Sequence, residues 1–365
     1  MINLIFFLPT FSYGGAGNSV FRLCKSLDKK KYKINIISIG KCDYKKEFKK
    51  FGSKVFELKT KKVSTSIFVL NRLVKKIISQ NYSKNIFISG IHYANIASII
   101  SLRSIKNLKL IVVERTDIRE LKIHYSLKKR IKNIIIYFLL KIFYKKADLV
   151  IANSLKAKND LQRICKTKVE KITPPSFLGY EKIKRNKKKK KFFKILTVGR
   201  LSWEKDIYTM VKAINEIKEK NIILQILGTG NEKDDIKRFI KKYKLQNKIF
   251  LLGHKKNLRD YYLESDLFIN ASYFEGFPNA LVEAINFNLP VICSDTASGV
   301  REITLNGKGG DLFKVGDYKN LAKKISLVYQ SPKILNKKLM IARKNIKNFS
   351  IEKNVEKYEF VFKKI

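Results

Sequence analysis

One pattern runs through the first half of the chain and then starts again: short β-branched runs separated by amphipathic stretches. A parallel sheet imposes this pattern. Its strands are buried on both faces, and each crossover needs a helix to cover them. In the first half the strand candidates are residues 3–8, 33–38, 54–57, 85–89, 108–114 and 149–152, with helices over 18–27 and 67–79. The second half gives strands over 194–198, 222–228, 249–252, 267–270 and 291–294, and helices over 207–218, 233–243, 258–264 and 280–286. Between them stand Thr173-Pro174-Pro175 and a charged segment ending in Lys187–Lys191. Prolines stop regular structure and like charges repel, so residues 174–192 read as an exposed basic linker, and the lysine run as solvated. The expectation is an α/β protein of two doubly wound, Rossmann-like domains, 1–173 and 193–349. A final helix over 350–365 is expected to pack back on the first domain. Ligands of such sheets bind at the carboxyl ends of strands, so two facing sheets put a cleft between them.

Charge is the other constraint. Lys and Arg number 78 against 30 Asp and Glu, a formal +48, while 45% of residues are hydrophobic. That apolar fraction excludes a disordered polyelectrolyte. Nucleic acid is one reading of the charge. However, lysine is spread evenly beside Ile and Asn, and no zinc-finger, RNP or KH signature appears. An anionic membrane surface is the better partner, with no specific nucleic acid expected. Cys24, Cys42, Cys165 and Cys293 form no CxxC pair, and His92, His124 and His254 lie far apart. This argues against a disulfide framework and a metal cluster and suits a reducing cytosol. The opening MINLIFFLPT has no basic leader and reads as a buried strand, not a signal peptide. Ile134–Leu140 is too short to cross a bilayer, which takes about 20 residues.

Three segments carry chemistry. Gly14, Gly15 and Gly17 form a turn that opens a helix, where amides and the helix dipole suit phosphate. The order is not GxGxxG, and an ordinary turn fits as well. Arg200 and Lys205 flank the strand-to-helix turn that opens the second half; they are either a diphosphate clamp or two more surface cations. The segment Ser272–Ala284 holds Glu275 and Glu283 with seven residues between them across a loop-to-helix junction, with Pro278-Asn279 as helix starters. A carboxylate there is commonly a cap, but Glu275 precedes a Gly-Phe-Pro-Asn turn instead.

Taken together, Gly14–Gly17, Val198–Lys205, Leu252-Gly253, Ile151–Ser154 and Glu275…Glu283 resemble the retaining glycosyltransferases of family 4, GT-B in fold, of the bacterial surface-polysaccharide type. The resemblance implies a nucleotide-sugar donor, UDP-linked, on the second domain. Arg200 and Lys205 would neutralise its diphosphate and Glu283 would hold the ribose. Glu275 would hold the sugar, and amides near Gly276, Phe277, Asn279, Ala280 and Leu281 would contact sugar or phosphate. Gly253 and His254 would lie near the base. With no Asp-x-Asp in the chain, no metal and no other cofactor are expected. On the acceptor side, His92 is open between a catalytic role and an ordinary loop histidine. Glu114-Arg115-Thr116-Asp117 resembles the Glu-Arg-Asn-Asp of relatives that build surface glycans. The function implied is transfer of a hexose or N-acetylhexosamine to a lipid-linked or surface glycan, by a cytoplasmic enzyme held peripherally at the inner face of the plasma membrane. The rival readings are a two-domain nucleotide-sugar epimerase and a basic nucleic-acid-binding protein. Residues 127–146 mix basic clusters with apolar residues, and are open between a membrane-docking segment and a core helix with a solvated basic side.

Overall fold

The structure, a computed structural model, describes residues 1–60, 62–78, 82–122, 127–177, 179, 191–296 and 298–365. Contacts divide the chain into two units: Met1–Pro175 with Ile351–Ile365, and Ser176–Ser350. Each is built around one parallel sheet.

The first unit holds β1 (Ile2–Leu8), β2 (Tyr32–Ser38), β3 (Lys54–Glu57), β4 (Lys84–Gly90), β5 (Leu108–Glu114), β6 (Leu149–Ala152) and β7 (Val169–Lys171). Their order across the sheet is β3-β2-β1-β4-β5-β6-β7. The crossover helices are α1 (Gly15–Ser26), α2 (Lys45–Lys50), α3 (Ile67–Ile78), α4 (His92–Leu102), α5 (Leu127–Phe143) and α6 (Leu155–Cys165). Strand β1 shows why its apolar run is unbroken. Leu4, Phe6 and Leu8 enter the core on one face, Ile5 and Phe7 the core on the other. The strand order reverses between β1 and β4, which sets the carboxyl edge there as the ligand crevice of this fold type.

The second unit repeats the plan with β8 (Phe193–Val198), β9 (Ile222–Leu227), β10 (Ile249–Gly253), β11 (Leu267–Asn270), β12 (Val291–Ser294) and β13 (Asp311–Phe313), ordered β10-β9-β8-β11-β12-β13. Its helices are α7 (Ile207–Glu216), α8 (Lys233–Lys242), α9 (Arg259–Glu264), α10 (Asn279–Asn286), α11 (Gly299–Thr304), α12 (Tyr318–Gln330) and α13 (Asn336–Ile346). The reversal falls between β8 and β11, the strands that carry Arg200–Lys205 and Glu275 beyond their ends. The last helix, α14 (Ile351–Lys364), packs with α1, and its Tyr358 and Phe362 are buried in the core of the first unit.

One expectation is corrected. Thr173–Phe177 are not exposed linker but buried. Two carbonyls of this stretch find donors: Arg22 reaches that of Pro175 at 3.4 Å and the Asn354 amide that of Thr173. Apolar pyrrolidine rings with satisfied carbonyls have no reason to face water. Residues 178 and 180–190, which include most of the expected lysine linker, lie outside the described residues, as does His124.

Candidate active site

In the second unit, β8 runs into Gly199–Leu201, a single 3-10 turn over Trp203–Lys205, and α7. Asp206 takes a left-handed conformation (φ 45°) and caps α7, accepting from the Thr209 amide at 3.2 Å. The loop after β11 is fastened to this turn. The Tyr273 amide donates to the Glu204 carbonyl at 2.9 Å, and the Trp203 ring lies 5.9 Å from Tyr273 and 5.2 Å from Phe274. That fastening brings Lys205 Nζ onto Glu275 Oε1. The same oxygen accepts from Ser272 Oγ (2.8 Å) and Asn270 Nδ2 (3.3 Å). All three donors converge on Oε1, and Glu275 Oε2 has no hydrogen bond among the described residues. Arg200 is exposed, and its guanidinium makes no ion pair among the described residues.

The remaining residues expected in this site are spread along β10 and α10. Gly253 ends β10 with φ +70°, and the exposed His254 follows it. Glu283 Oε2 accepts from the Tyr262 hydroxyl at 3.0 Å. Glu275 is not the cap of α10, whose N-cap is Pro278. Phe277 is buried against Phe349, and Asn279 Oδ1 accepts from Ser176 Oγ at 2.9 Å. The Leu281 amide, expected to face a ligand, donates instead to the Pro278 carbonyl at 3.1 Å, because the first turn of α10 closes tightly.

Sequence reading missed the brace behind this site. A Cβ on Gly228 would stand 1.7 Å from the Gly199 carbonyl oxygen, and one on Gly230 2.0 Å from that of Leu201. The Leu201 amide donates to the Thr229 carbonyl at 2.9 Å. Gly228-Thr229-Gly230 at the end of β9 thus sets the path of the Arg200 loop. The signal was present: a Gly-x-Gly where a strand ends.

In the first unit, His92 opens α4 directly behind Ile91, whose φ of +78° is a costly conformation for a β-branched residue. His92 is buried, with Nδ1 3.3 Å from Thr116 Oγ1 and 3.9 Å from Glu114 Oε1. Glu114 is buried too. Its Oε1 accepts from the Thr116 hydroxyl (2.7 Å) and the amides of Arg115 and Thr116, and Oε2 accepts from Tyr144 (2.7 Å). Asn95 donates to the Tyr144 hydroxyl at 2.9 Å and accepts from Ser89. Since the Thr116 hydroxyl donates to Glu114, its contact with His92 assigns the proton to Nδ1. Burial alone would lower the His92 pKa, but the Glu114 carboxylate outweighs it and the net shift is upward. Burial likewise opposes ionisation of Glu114. His92, Tyr144 and Thr116 outweigh it, and the carboxyl is held below its usual range.

The glycine turn divides. Gly14 is the N-cap of α1, supplies no side-chain cap, and has open space where a Cβ would point. Gly17 is buried, and a Cβ there would stand 2.3 Å from the Ser12 carbonyl oxygen. Gly17 therefore serves close packing of α1 on its own loop; Gly15 is the first residue of the helix. Among the described residues, no group of three His, Cys, Asp or Glu side chains is placed to hold a metal ion.

Two family models divide the chain as its sheets do. Residues 13–174 match Glycosyltransferase Family 4, and residues 180–349 match Glycosyl transferases group 1. The chain spans about half the length of the curated relatives it first matches. One is an uncharacterized glycosyltransferase of Methanocaldococcus jannaschii, 33% identical over 192 residues (49% of this chain, 47% of that protein). Another is the N-acetylgalactosamine-N,N'-diacetylbacillosaminyl-diphospho-undecaprenol 4-alpha-N-acetylgalactosaminyltransferase of Campylobacter jejuni, 30% identical over 215 residues (57% and 58%). A second Campylobacter jejuni enzyme, an alpha-1,4-N-acetyl-D-galactosaminyltransferase acting on GalNAc-alpha-(1->4)-GalNAc-alpha-(1->3)-diNAcBac-PP-undecaprenol, is 25% identical over 361 residues (96% and 95%). Among solved structures, sucrose-phosphate synthase from Thermosynechococcus elongatus superposes with a TM-score of 0.83 at 16% identity (100% of this chain, 99% of that one). Anabaena HepE in complex with UDP and glucose gives 0.78 at 18% identity (100% of both). None of these matches favours the epimerase or nucleic-acid readings. Both halves of the chain thus match glycosyltransferase family models, and its fold is the two-domain GT-B fold.

Proposed function

We propose that this glycosyltransferase moves a hexose or N-acetylhexosamine from a UDP-linked sugar to a lipid-linked or surface glycan, with retention at the anomeric carbon and without a metal ion. The observation that carries the reading is the Lys205–Glu275 pair at the switch point of the second sheet, with Arg200 on the same turn and in no ion pair among the described residues. A diphosphate entering there meets two cations, whose charge stabilises the departing nucleotide. Glu275, held through Oε1, keeps Oε2 for a sugar hydroxyl. Glu283 takes the ribose, Gly253 and His254 lie toward the base, and the amides of Gly276, Phe277, Asn279 and Ala280 face sugar or phosphate. Gly14 and Gly15 offer amides to phosphate, and His92 serves the acceptor side. Supporting the acceptor class, the Campylobacter relatives are named for undecaprenol-linked substrates. Supporting the donor, HepE was solved with UDP. With no carboxylate assigned as nucleophile, the acceptor attacks the face the nucleotide leaves, and the diphosphate takes the acceptor proton. A lipid-linked acceptor puts the work at the cytoplasmic face of the plasma membrane.

The test is calorimetric titration with UDP-glucose, UDP-galactose, UDP-N-acetylglucosamine and UDP-N-acetylgalactosamine. It is followed by mass spectrometry and anomeric NMR of the product on an undecaprenyl-diphosphate glycan. One donor should bind and yield an α-linked product. Binding of oligonucleotide alone, or conversion of the donor with no acceptor, overturns the reading.

A further inference from the structure

Helix α5 has two apolar faces and needs only one. Asn133, Ile136 and Leu140 turn inward, where Ile136 and Leu140 join the core with Tyr144, Val112 and Val150. On the opposite side Leu127, Ile131, Ile134, Ile135 and Phe138 are each between 52% and 72% exposed. Their spacing, i, i+4, i+7, i+8, i+11, gathers them in an arc of about 100° on a helix that turns ~100° per residue. A solvent-facing stripe of a crossover helix is ordinarily polar, and five large apolar residues in one line form a patch that demands a partner.

The flanks identify it. Arg130 and Lys141 border the stripe on one side, Lys128 and Lys132 on the other, and Lys145-Lys146 follow the helix. From Leu127 to Lys146 there is no Asp or Glu. An apolar strip with cations along both borders suits a surface that is apolar inside and anionic at its rim, which is a bilayer of anionic lipid. No helix among the described residues is long and apolar enough to cross a membrane, so α5 lies on that surface. Further exposed apolar residues stand at the starts of neighbouring crossover helices: Phe68 on α3, Tyr93 on α4 and Leu155 on α6. In a parallel sheet those starts share the carboxyl edge, the edge on which His92 begins α4.

We propose that the exposed face of α5 docks on an anionic lipid bilayer and brings the carboxyl edge of the first sheet, with His92, to the lipid surface. This rests on the reading above only for the lipid-linked acceptor, and it names the surface that reaches it. The test is co-sedimentation of the full chain with vesicles of phosphatidylcholine, alone or with about 30 mol % phosphatidylglycerol. Binding should require phosphatidylglycerol and fall at least tenfold between about 0.05 and 0.5 M NaCl. Ile134→Gln with Phe138→Gln, and separately Lys128→Glu with Lys129→Glu and Arg130→Glu, should each lower binding about tenfold or more. Thermal midpoint and UDP affinity should stay unchanged, since none of these residues lies in the donor site. Wild-type binding by both variants overturns the proposal. So does a change of the apolar variant from dimer to monomer in light scattering, which would make the stripe an interface between two copies. Vesicle binding needs no substrate, so α5-dependent docking without donor binding would sink the transferase reading and leave this one standing.

Discussion

Lys205 and Glu275 stand seventy residues apart in sequence and form one ion pair, because β8 and β11 are neighbours across the switch point of the second sheet. Lys205 keeps 23% side-chain exposure and Glu275 only 9%, so the two ends differ in what their loss leaves behind.

Replacing Lys205 by Ala strips the buried carboxylate of its counter-charge while Ser272 and Asn270 remain. The expected cost is about 1–3 kcal/mol of stability, with transfer efficiency falling roughly 10- to 150-fold. Arg200→Ala should show a similar kinetic loss with stability within about 0.5 kcal/mol, since its side chain is exposed. Urea melts beside steady-state kinetics separate the two. Equal stability losses would contradict the burial asymmetry. Near-wild-type kinetics for Lys205→Ala would remove it from the donor site.

The glycines make a second contrast. Gly228→Ala forces a methyl into the Gly199 carbonyl and should cost more than about 2 kcal/mol, disordering the Arg200 loop. Gly14→Ala meets open space on extended backbone, and should leave stability within about 1 kcal/mol. Thermal denaturation of both decides it. A tolerated Gly228→Ala would mean that the brace described here does not hold the loop.

Transfer should proceed at an unchanged rate in EDTA, with cations and helix dipoles stabilising the leaving diphosphate. Loss of activity on chelation, restored by Mn²⁺ or Mg²⁺, would assign the charge to a metal and not to Arg200 and Lys205.

His92 gives a pH signature. Its folded pKa lies above the unfolded value of about 6.5, so the stabilisation from its pairing with Glu114 is complete below that pH. It is lost as pH rises through the folded pKa. In an NMR titration the His92 midpoint should exceed about 6.5, and Glu114→Gln should bring it below, because burial is then the largest influence left, over the more distant charges of Glu120 and Lys132. An unmoved midpoint in that variant would break the assigned coupling.

How much of this was legible depends on the physics each feature uses. β5, β6, β11 and β12 stand where their apolar runs stand, because a strand buried on both faces leaves a continuous mark. β7 and β13 carry three residues each and no such run. Glu275 could be picked from its segment, but its three donors on Oε1 come from Lys205 across the sheet, Asn270 at the end of β11 and Ser272 in the loop, a convergence that no spacing announces. Glu114 entered as the first residue of a motif resembling that of glycan-building relatives, and the structure makes it a buried anchor for His92. The positive φ of Ile91 has no sequence mark at all, since β-branched residues argue against it. The sequence over 127–146 shows apolar residues among basic clusters, and leaves open whether they face a membrane or the core. Only packing says which of those apolar residues the core covers.

The return of α14 to the first unit has a consequence for synthesis. The ribosome releases Met1–Pro175 early, but Tyr358 and Phe362, which close its core against α1, are made only after the whole second unit. At about 5–20 residues per second, the amino-terminal sheet waits on the order of ten to thirty-five seconds with that face uncovered while the second unit is translated. Vectorial folding, the usual protection of a multidomain chain, is thus denied to the first domain. It should be the client of a holdase during translation, and chains arrested before Ile351 should be the ones that proteases clear.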